Sequence, residues 1–416
     1  MSYRYRAYPG VEQIGGLFTH ASHARFVWNL ACEQQSYYRV AGRVSSPPNS
    51  AARFRQLAEA RADSEWLAAG SSSVQQQALR DYDQAVRNWL GHKSHRKPSW
   101  RKAGRDEGFC IRDVKAQKVN RRWGRVFVPK VGWLRFRLTR PLPVKSGMAR
   151  VTLDQAGRWH VSFTATQPVI KREPTGSEVG IDRGVATTLA LSTGQHYQVP
   201  HSRKSDRKAR KLAARMSRAR RGSKRRDAAK HAFANVHAQA GDRRKNWIEK
   251  TTTTLIRDHD VIVLEDLKIK NMVRKPKPKP DPAQPGSFLP NLARAKAGLN
   301  RSIHRSCWGL FAQRLQDKAA VSGVTVITVN PSYSSQQCRA CGHTAAENRQ
   351  SQTDFCCMEC GYSNHADTNA AQVVLARGIA ALRPPQDMGQ ELAPARSARG
   401  NPEKSVARTT RTKAVA

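Results

Sequence analysis

Four cysteines lie in two closely spaced pairs near the carboxyl end of the chain. The pairs are Cys338-x-x-Cys341 and Cys357-x-x-Cys360, with fifteen residues between them. This spacing is typical of a zinc ribbon, in which each short turn supplies two thiolates to one tetrahedral ion. A glycine follows the second cysteine of each pair, where a tight turn needs a positive φ. The pattern predicts one structural Zn²⁺ held by these four cysteines, with Cys356 left out because using it would break the spacing.

Three acidic residues occupy the ends of predicted elements that are far apart in the sequence. Asp182 lies on an apolar strand, Glu265 ends a second apolar strand, and Asp367 opens a helix. Asp367 taken alone is more simply explained as a helix cap. Together the three fit one pocket at the edge of a mixed sheet, where carboxylates hold Mg²⁺ and leave positions open for water and phosphate. They predict two Mg²⁺ ions for phosphodiester hydrolysis, in an RNase H-like, RuvC-type arrangement.

The charge of the chain is strongly one-sided. Its 416 residues include 73 Lys and Arg but only 31 Asp and Glu, a formal net charge of +42. Such a field attracts polyanions and opposes folding of the free chain, so a nucleic acid is the simplest partner. No apolar run of about 20 residues and no signal-like segment is present, so no membrane partner is expected. The isolated Cys32, Cys110 and Cys307 fit a reducing cytoplasm, and we expect a cytoplasmic, nucleoid-associated protein.

In the first part of the chain, the spacing of apolar residues is typical of a strand, then of helices and then of strands again. Residues 2–8 alternate as a short strand, residues 11–92 are helical with a loop at 42–50, and residues 98–170 return to strand periodicity. The later strands predict a small antiparallel barrel, which the strand at 2–8 should join. The outward residues of the barrel are basic, which suits phosphates, although a merely solvated face is the alternative. They include Arg121, Arg122, Arg125, Lys130, Arg135 and Arg137.

The sequence of the second part predicts the strands and helices that carry the three acidic residues. Asp182 lies on the first strand of a predicted hairpin. Residues 203–250 form a very basic helical region, for which a solvated or disordered run is the alternative. The Pro- and Lys-rich stretch at 275–286 predicts an exposed linker or lid hinge. One helix is expected at about 291–321, and the residues beyond 383 predict a disordered tail.

Six short motifs are distributed over nearly the whole chain. They are YRxYP at the start, ARFVWN at 24–29, VGIDRG at 179–184, VLEDL at 263–267, SSQxC at 334–338 and NHADTNAA at 364–371. Taken together they resemble the TnpB (OrfB) family of bacterial insertion sequences and the related miniature type V CRISPR (Cas12-like) effectors. Three departures stand out. Arg183 replaces an apolar residue that relatives often carry, the Pro-Lys stretch after Met272 is longer than expected, and the basic tail beyond 383 has no usable counterpart.

The resemblance implies an RNA-guided DNA endonuclease. Such a protein binds a guide RNA, recognises a short target-adjacent motif in double-stranded DNA and cleaves guide-matched DNA in a single RuvC site. By the resemblance, Asp182, Glu265 and Asp367 are the catalytic, magnesium-binding acids, and the four paired cysteines bind structural zinc. It leaves open whether the protein works as a monomer or a homodimer on one guide, and whether it serves an insertion sequence or a CRISPR array.

The expected fold class is α+β and multidomain. A wedge β-barrel carries an inserted helical recognition domain, and a RuvC-like nuclease domain with an RNase H-like mixed α/β fold carries an inserted zinc ribbon that binds target nucleic acid. The expected bounds are 1–10 with 96–172 for the wedge, 11–95 for the recognition domain, 173–332 with 364–383 for the nuclease domain, 333–363 for the ribbon and 384–416 for the disordered basic tail.

Other function classes fit the sequence less well. A guided DNA-binding regulator that does not cut would be favoured by the loss of one acid, yet all three acids are present. A transposase that joins strands commonly uses a His-hydrophobic-His metal motif, and no His-x-His occurs among the 13 histidines. A structural RNA-binding protein with a zinc ribbon would explain the charge but not the three spaced acids.

Overall fold

A computed structural model gives the fold of residues 2–37, 47–105, 107–143, 147–284 and 286–382. The predicted basic tail and most of the predicted loop at 42–50 lie outside these described residues. Within them, none of the helices has the length and apolar character needed to cross a membrane.

The first part of the chain forms an antiparallel sheet with a layer of helices. Its elements are, in chain order, β1 (Ser2–Tyr8), α1 (Val11–Tyr37), α2 (Ser50–Asp63), α3 (Glu65–Ala69), α4 (Ser72–Gly91), β2 (Gly108–Arg112), β3 (Ala116–Lys118), β4 (Trp123–Val128), β5 (Gly132–Arg137), β6 (Met148–Leu153) and β7 (Trp159–Thr164). The strand order is β2-β6-β7-β1-β5-β4-β3. The amino-terminal strand joins this sheet as predicted, because β1 pairs with β7 on one side and with β5 on the other.

One face of this sheet packs against an apolar core that it shares with helices. Inward-facing residues of six strands and of α1 and α4 form one cluster. At its centre, the ring of Tyr5 lies 5.2 Å from that of Phe136 and 5.8 Å from that of Phe163. In the described pairings, β2 and β3 each have a strand partner on one side only, so the ladder is open where a barrel was predicted. The short β3, Ala116–Lys118, is mostly exposed and offers few groups for closure.

The second part forms a five-stranded mixed sheet. Its elements are β8 (Glu178–Asp182), β9 (Leu189–Leu191), β10 (His196–Tyr197), α5 (Arg203–Arg218), α6 (Lys224–Asp258), β11 (Val261–Glu265), α7 (Ile269–Met272), β12 (Lys279–Pro280), β13 (Phe288–Leu289), α8 (Ala293–Ser306), α9 (Trp308–Ser322), β14 (Thr325–Val329), β15 (Asp354–Cys356), β16 (Ser363–His365) and α10 (Ala366–Leu382). The sheet order is β10-β9-β8-β11-β14. β8, β9 and β10 form an antiparallel meander, whereas β8, β11 and β14 run parallel.

Two glycines let α10 lie directly on this sheet. A Cβ atom at Gly180 of β8 would come within 2.2 Å of the Ala371 carbonyl oxygen of α10. A Cβ atom at Gly378 of α10 would come within 2.4 Å of the Val263 side chain of β11. Since real Cβ atoms do not approach so closely, larger residues at either position would push the helix away from the strands. The glycine of the VGIDRG motif therefore helps to set the position of the helix that carries Asp367.

The helices of this part differ from the prediction at one point. The basic region forms the helix pair α5 and α6, and no residue of α5 is buried. The single helix predicted at 291–321 is wrong: α8 and α9 are separated at Cys307, whose φ of 54° interrupts the helical backbone. The Pro- and Lys-rich stretch is largely exposed, as predicted, and contains β12, which pairs with β13.

Candidate metal centres

The two cysteine pairs lie in two copies of the same backbone turn. The Gly342 N–H donates to the Cys338 carbonyl, and the Gly361 N–H donates to the Cys357 carbonyl, each over 3.0 Å. Both glycines have positive φ, 80° and 70°, as the sequence predicted. Each turn is closed by a further bond from the first cysteine N–H to the carbonyl five residues later, 2.8 Å and 2.9 Å long. The repeated turn presents two sulfurs from each pair to one point.

The four sulfurs have the spacing of a tetrahedral zinc site. All four Sγ atoms lie within 4.8 Å of one another. The distance between Cys338 and Cys360 Sγ is 3.7 Å, and that between Cys341 and Cys357 Sγ is 3.5 Å. A disulfide would need about 2.05 Å, whereas zinc–sulfur bonds of about 2.3 Å at tetrahedral angles place sulfurs about 3.8 Å apart. The pKa of Cys357 is lowered, with hydrogen bonding from the Cys360 backbone as the largest cause, whereas the pKa values of Cys341 and Cys360 are raised in the same cluster. The cluster can hold a zinc ion.

The three acids meet at the carboxyl ends of two parallel strands. β8 and β11 are paired up to Ile181 and Leu264, so Asp182 and Glu265 are the next neighbours across the strands. Because α10 packs on β8, its first turn brings Asp367 to the same edge. The Glu265 and Asp367 side chains are buried, and Asp182 is half-buried.

The acids influence one another electrostatically. Burial, followed by the negative charges of Glu265 and Asp367 and a hydrogen bond with Glu265, raises the pKa of Asp182 to about 8. In the metal-free protein these interactions favour the protonated form of Asp182. Within the described part of the chain, the cysteine cluster is the only group of three or more His, Cys, Asp or Glu whose ligand atoms all lie within 4.8 Å. The acids form a looser group than the cysteines.

Three further polar side chains contact these acids. None of them has a role that was predicted from the sequence. Arg349 Nη2 donates to Asp367 Oδ1 over 3.0 Å, and Ser334 Oγ donates to Glu265 Oε1 over 3.0 Å. Arg183 donates from Nη2 to the backbone carbonyl of Glu265. Ser334 belongs to the SSQxC motif and Arg183 to VGIDRG, so both had a signal in the sequence. Arg349 lies between the cysteine pairs, where nothing in the local pattern marks it.

The segment with the cysteines is fastened to the helix that carries Asp367. The buried Asn369 of α10 accepts from the Arg339 N–H over 3.1 Å and donates to the Gln337 carbonyl over 2.8 Å. The Ala366 N–H donates to the Thr353 carbonyl over 2.7 Å. These bonds, with the Arg349 ion pair, join the cysteine-containing segment to one wall of the acidic pocket.

The outward face of β4 and β5 combines arginines with aromatic rings. Arg125 and Arg135 lie opposite each other on the two strands, where like charges repel. Their guanidinium groups stack 4.4 Å from the ring centre of Trp133 and 4.8 Å from that of Trp123, respectively. The exposed Tyr8 of β1 packs edge-on against Trp123. The six predicted outward residues are all exposed or half-buried: Arg121, Arg122, Arg125, Lys130, Arg135 and Arg137. This face suits phosphates and unpaired bases.

Three protein-family models match parts of the chain. The model described as a helix-turn-helix domain of OrfB_IS605 matches residues 1–42, and the OrfB_IS605 model described as a probable transposase matches residues 160–275. The model described as a Cas12f1-like TNB domain matches residues 308–374, which include all four paired cysteines.

Individual proteins are similar over most of the chain. "Putative RNA-guided DNA endonuclease InsQ" of Escherichia coli (strain K12) is 33% identical over 384 residues, which cover 92% of this chain and 93% of that protein. A "Putative RNA-guided DNA endonuclease" of Streptomyces pristinaespiralis is 30% identical over 389 residues, covering 91% and 90% of the two chains. A chain in the cryo-EM structure of a Cas12f1-sgRNA-target DNA complex is 13% identical with a TM-score of 0.46, covering 88% of this chain and 82% of that one.

Proposed function

The chain belongs to the TnpB (OrfB) family, and on that premise we propose that it is an RNA-guided DNA endonuclease. One observation carries the proposal: Asp182, Glu265 and Asp367 come from three separate elements and meet at one edge of the mixed sheet. A fold that only bound nucleic acid would have no need to bring three carboxylates together in a buried position, where burial costs free energy.

In the proposed site, the three acids hold two Mg²⁺ ions. The donor set fits, because carboxylates are hard oxygen ligands, and Glu265 and Asp367 lie close enough to Asp182 to raise its pKa together with burial. When bound, the ions supply activation of a water and stabilisation of the leaving oxygen. Ser334 orients the Glu265 carboxylate through its hydrogen bond. Arg349 neutralises Asp367 in the metal-free pocket, and its partly exposed guanidinium is available to a phosphate of the substrate.

The four cysteines hold one structural Zn²⁺. Their compact cluster supports this assignment, and four thiolates leave no coordination position for a reacting water. The zinc would act on the reaction indirectly, because the cysteine-containing segment fixes Arg349 and the start of α10.

The basic surfaces bind the guide RNA and the target DNA. The arginine–aromatic face of β4 and β5 and the exposed basic helix α5 provide separate surfaces for phosphates. We assign the first sheet to the wedge, α1–α4 to the recognition domain, the second sheet with α10 to the nuclease domain and the cysteine-containing segment to the ribbon, with the bounds expected from the sequence. Recognition of a target-adjacent motif, action as a monomer or homodimer on one guide, and a cytoplasmic location at the nucleoid belong to the same proposal.

The test uses the protein expressed with its native flanking DNA. The RNA that co-purifies is sequenced, and the complex is incubated with a plasmid carrying a matching target or a scrambled one, in Mg²⁺ or in EDTA. We expect one dominant RNA and Mg²⁺-dependent cutting of the matching plasmid only. The absence of a defined RNA would contradict the proposal. A defined RNA with target binding but no cutting would also contradict it, in favour of a guided regulator.

A further inference from the structure

Arg183 is a buried cation at the edge of the acidic pocket. Its side chain is only 6% exposed, directly after Asp182 at the end of β8. A buried guanidinium is normally paired with a carboxylate because an isolated buried charge is costly. Among the described residues, no carboxylate oxygen lies within 4.0 Å of the Arg183 guanidinium. Its Nε also has no hydrogen-bond partner within the described part of the chain.

The same residue joins the two strand ends that carry acids. It directly follows Asp182, and its Nη2 donates to the backbone carbonyl of Glu265. This contact joins the end of β8 to the end of β11, next to the Glu265 side chain. Arg183 is therefore placed to fix the separation of the two strand ends.

The charge of Arg183 is balanced by the pocket as a whole. The negative groups that attract it most strongly are Glu265, Asp182 and Asp266. Arginine stays charged in proteins, and burial keeps this side chain from turning away into solvent. Arg349 differs, because its side chain is 27% exposed and rests on one carboxylate oxygen. A cation entering the pocket can displace Arg349, but it must bind in the presence of Arg183.

We propose that Arg183 is a fixed counter-cation of the acidic pocket: a positioning residue that holds the end of β11 and weakens the binding of divalent cations when no nucleic acid is present. A substrate phosphate adds negative charge and oxygen ligands, so it offsets the repulsion from Arg183. Loading of the ions is thereby coupled to entry of the DNA strand. This inference rests on the proposed nuclease function.

The test separates the charge of Arg183 from its hydrogen bond. R183K keeps the charge, R183Q keeps a donor without the charge, and R183M keeps neither. Mn²⁺ binding to each full-length protein–RNA complex is measured by electron paramagnetic resonance of the free ion. The D182N/E265Q complex serves as the blank that subtracts Mn²⁺ held by the RNA. The series is repeated with a target analogue whose scissile linkage cannot be cleaved and carries only oxygen ligands.

Without target, we expect R183Q and R183M to bind pocket Mn²⁺ about tenfold more tightly than the wild type, because one nearby positive charge is gone. R183K should bind within about twofold of the wild type. The target should tighten Mn²⁺ binding more in the wild type than in R183Q. Thermal unfolding of the same complexes in EDTA and in Mn²⁺ should give the same order of affinities.

Equal Mn²⁺ affinity in wild type and R183Q, or weaker binding in R183Q than in R183K, would overturn the proposal. If one variant does not fold in EDTA, the remaining substitutions are compared with one another. R183K and R183Q are sufficient as a pair, because R183K keeps the positive charge and R183Q keeps only a hydrogen-bond donor. Failure of the proposed function has a different signature. In that case the wild-type complex would not cut at any Mn²⁺ concentration, whatever the order of the affinities.

Discussion

The two candidate metal centres are built in opposite ways. The cysteine cluster comes from two copies of one turn, and its four sulfurs lie within 4.8 Å of one another. The acidic pocket is assembled from β8, β11 and α10, where burial and the neighbouring carboxylates raise the pKa of Asp182 and Arg349 pairs with Asp367. Local backbone geometry builds the first centre, whereas the packing of distant elements builds the second.

The difference has a functional meaning in the proposed nuclease. A preformed thiolate cluster binds its ion tightly and gains stability for the fold. A pocket whose charges are already compensated binds ions more weakly and can exchange them during a reaction cycle. The two centres are joined through Arg349 and α10, so damage to the cysteine cluster should reach the acids, whereas damage to the acids should leave the cysteine cluster intact.

The largest effect is expected for Cys338→Ser. Structural zinc sites of this kind contribute about 10 kcal/mol or more of binding free energy to folding. The variant should lose the zinc, expose the cysteine-containing segment to proteases and abolish cleavage, because Arg349 and the start of α10 lose their support. Metal analysis, limited proteolysis and a cleavage assay measure the three effects.

Cys356→Ser is the matched control for that change. Cys356 is next to Cys357 in the chain but lies outside the four-sulfur cluster. This variant should keep about one zinc per chain and normal cleavage. Loss of zinc from Cys356→Ser, or its retention in Cys338→Ser, would contradict the assignment of the ligands.

Asp182→Asn should affect the acids alone. Without this ligand, cleavage should fall by about a thousandfold or more, since the ions supply several kcal/mol of transition-state stabilisation. The zinc content should stay the same, and the metal-free protein should be at least as stable as the wild type at pH 8, because the amide resembles the protonated acid. The cutting rate, zinc content and thermal midpoint are measured together. Unchanged cutting would remove Asp182 from the site.

The pH dependence of the free energy of unfolding should also distinguish the acidic pocket from the cysteine cluster. The pKa of Asp182 in the folded protein, about 8, lies above its ordinary value, so the folded chain keeps a proton that the unfolded chain releases. The contribution of Asp182 to the free energy of unfolding is therefore complete below about pH 4. It is lost as pH rises to about 8, and the free energy of unfolding falls by up to about 1.4 kcal/mol per pH unit.

Chemical unfolding of the zinc-loaded protein at pH 5.5, 7 and 8.5, without magnesium, would measure this dependence. Asp182→Asn should flatten the profile, and Mg²⁺ should oppose the fall because it favours the ionised acid. A slope that is the same in wild type and Asp182→Asn would show that Asp182 does not hold the proton.

The smallest effect is expected for Ser334→Ala. Its hydroxyl holds one oxygen of the buried Glu265 carboxylate, and a lost hydrogen bond to a charged group is worth about 1.5–3 kcal/mol. Cleavage should fall about tenfold or somewhat more, with zinc content unchanged. Ser335→Ala, at the half-buried neighbouring position, should cut like the wild type. Equal rates for the two variants would remove Ser334 from the pocket.

The sequence indicated those features that depend on local rules. The cysteine spacing and the two glycines follow from a turn of a few residues, and the structure confirms their arrangement. Asp182 and Glu265 could be placed because apolar strands end directly at both acids, and parallel neighbours bring such ends together. The pairing of the amino-terminal strand with the first sheet was also predictable, because an isolated strand needs a partner.

Features that depend on long-range packing were missed. The contact between Arg349 and Asp367 requires the cysteine-containing segment to fold back on α10, which no periodicity encodes. The break between α8 and α9 occurs at Cys307 in a left-handed conformation, for which a cysteine gives no signal. Closure of the first sheet depends on whether its edge strands meet, and hydrophobic alternation does not determine this.

The most direct test of two separate metal centres is anomalous diffraction from crystals of the protein–RNA complex grown in Mn²⁺, with data collected at the zinc and manganese absorption edges. We predict one zinc peak among Cys338, Cys341, Cys357 and Cys360, and manganese peaks between the carboxylates of Asp182, Glu265 and Asp367. The manganese peaks should disappear in Asp182→Asn while the zinc peak remains. Manganese bound away from these acids, or no zinc among the sulfurs, would contradict the account.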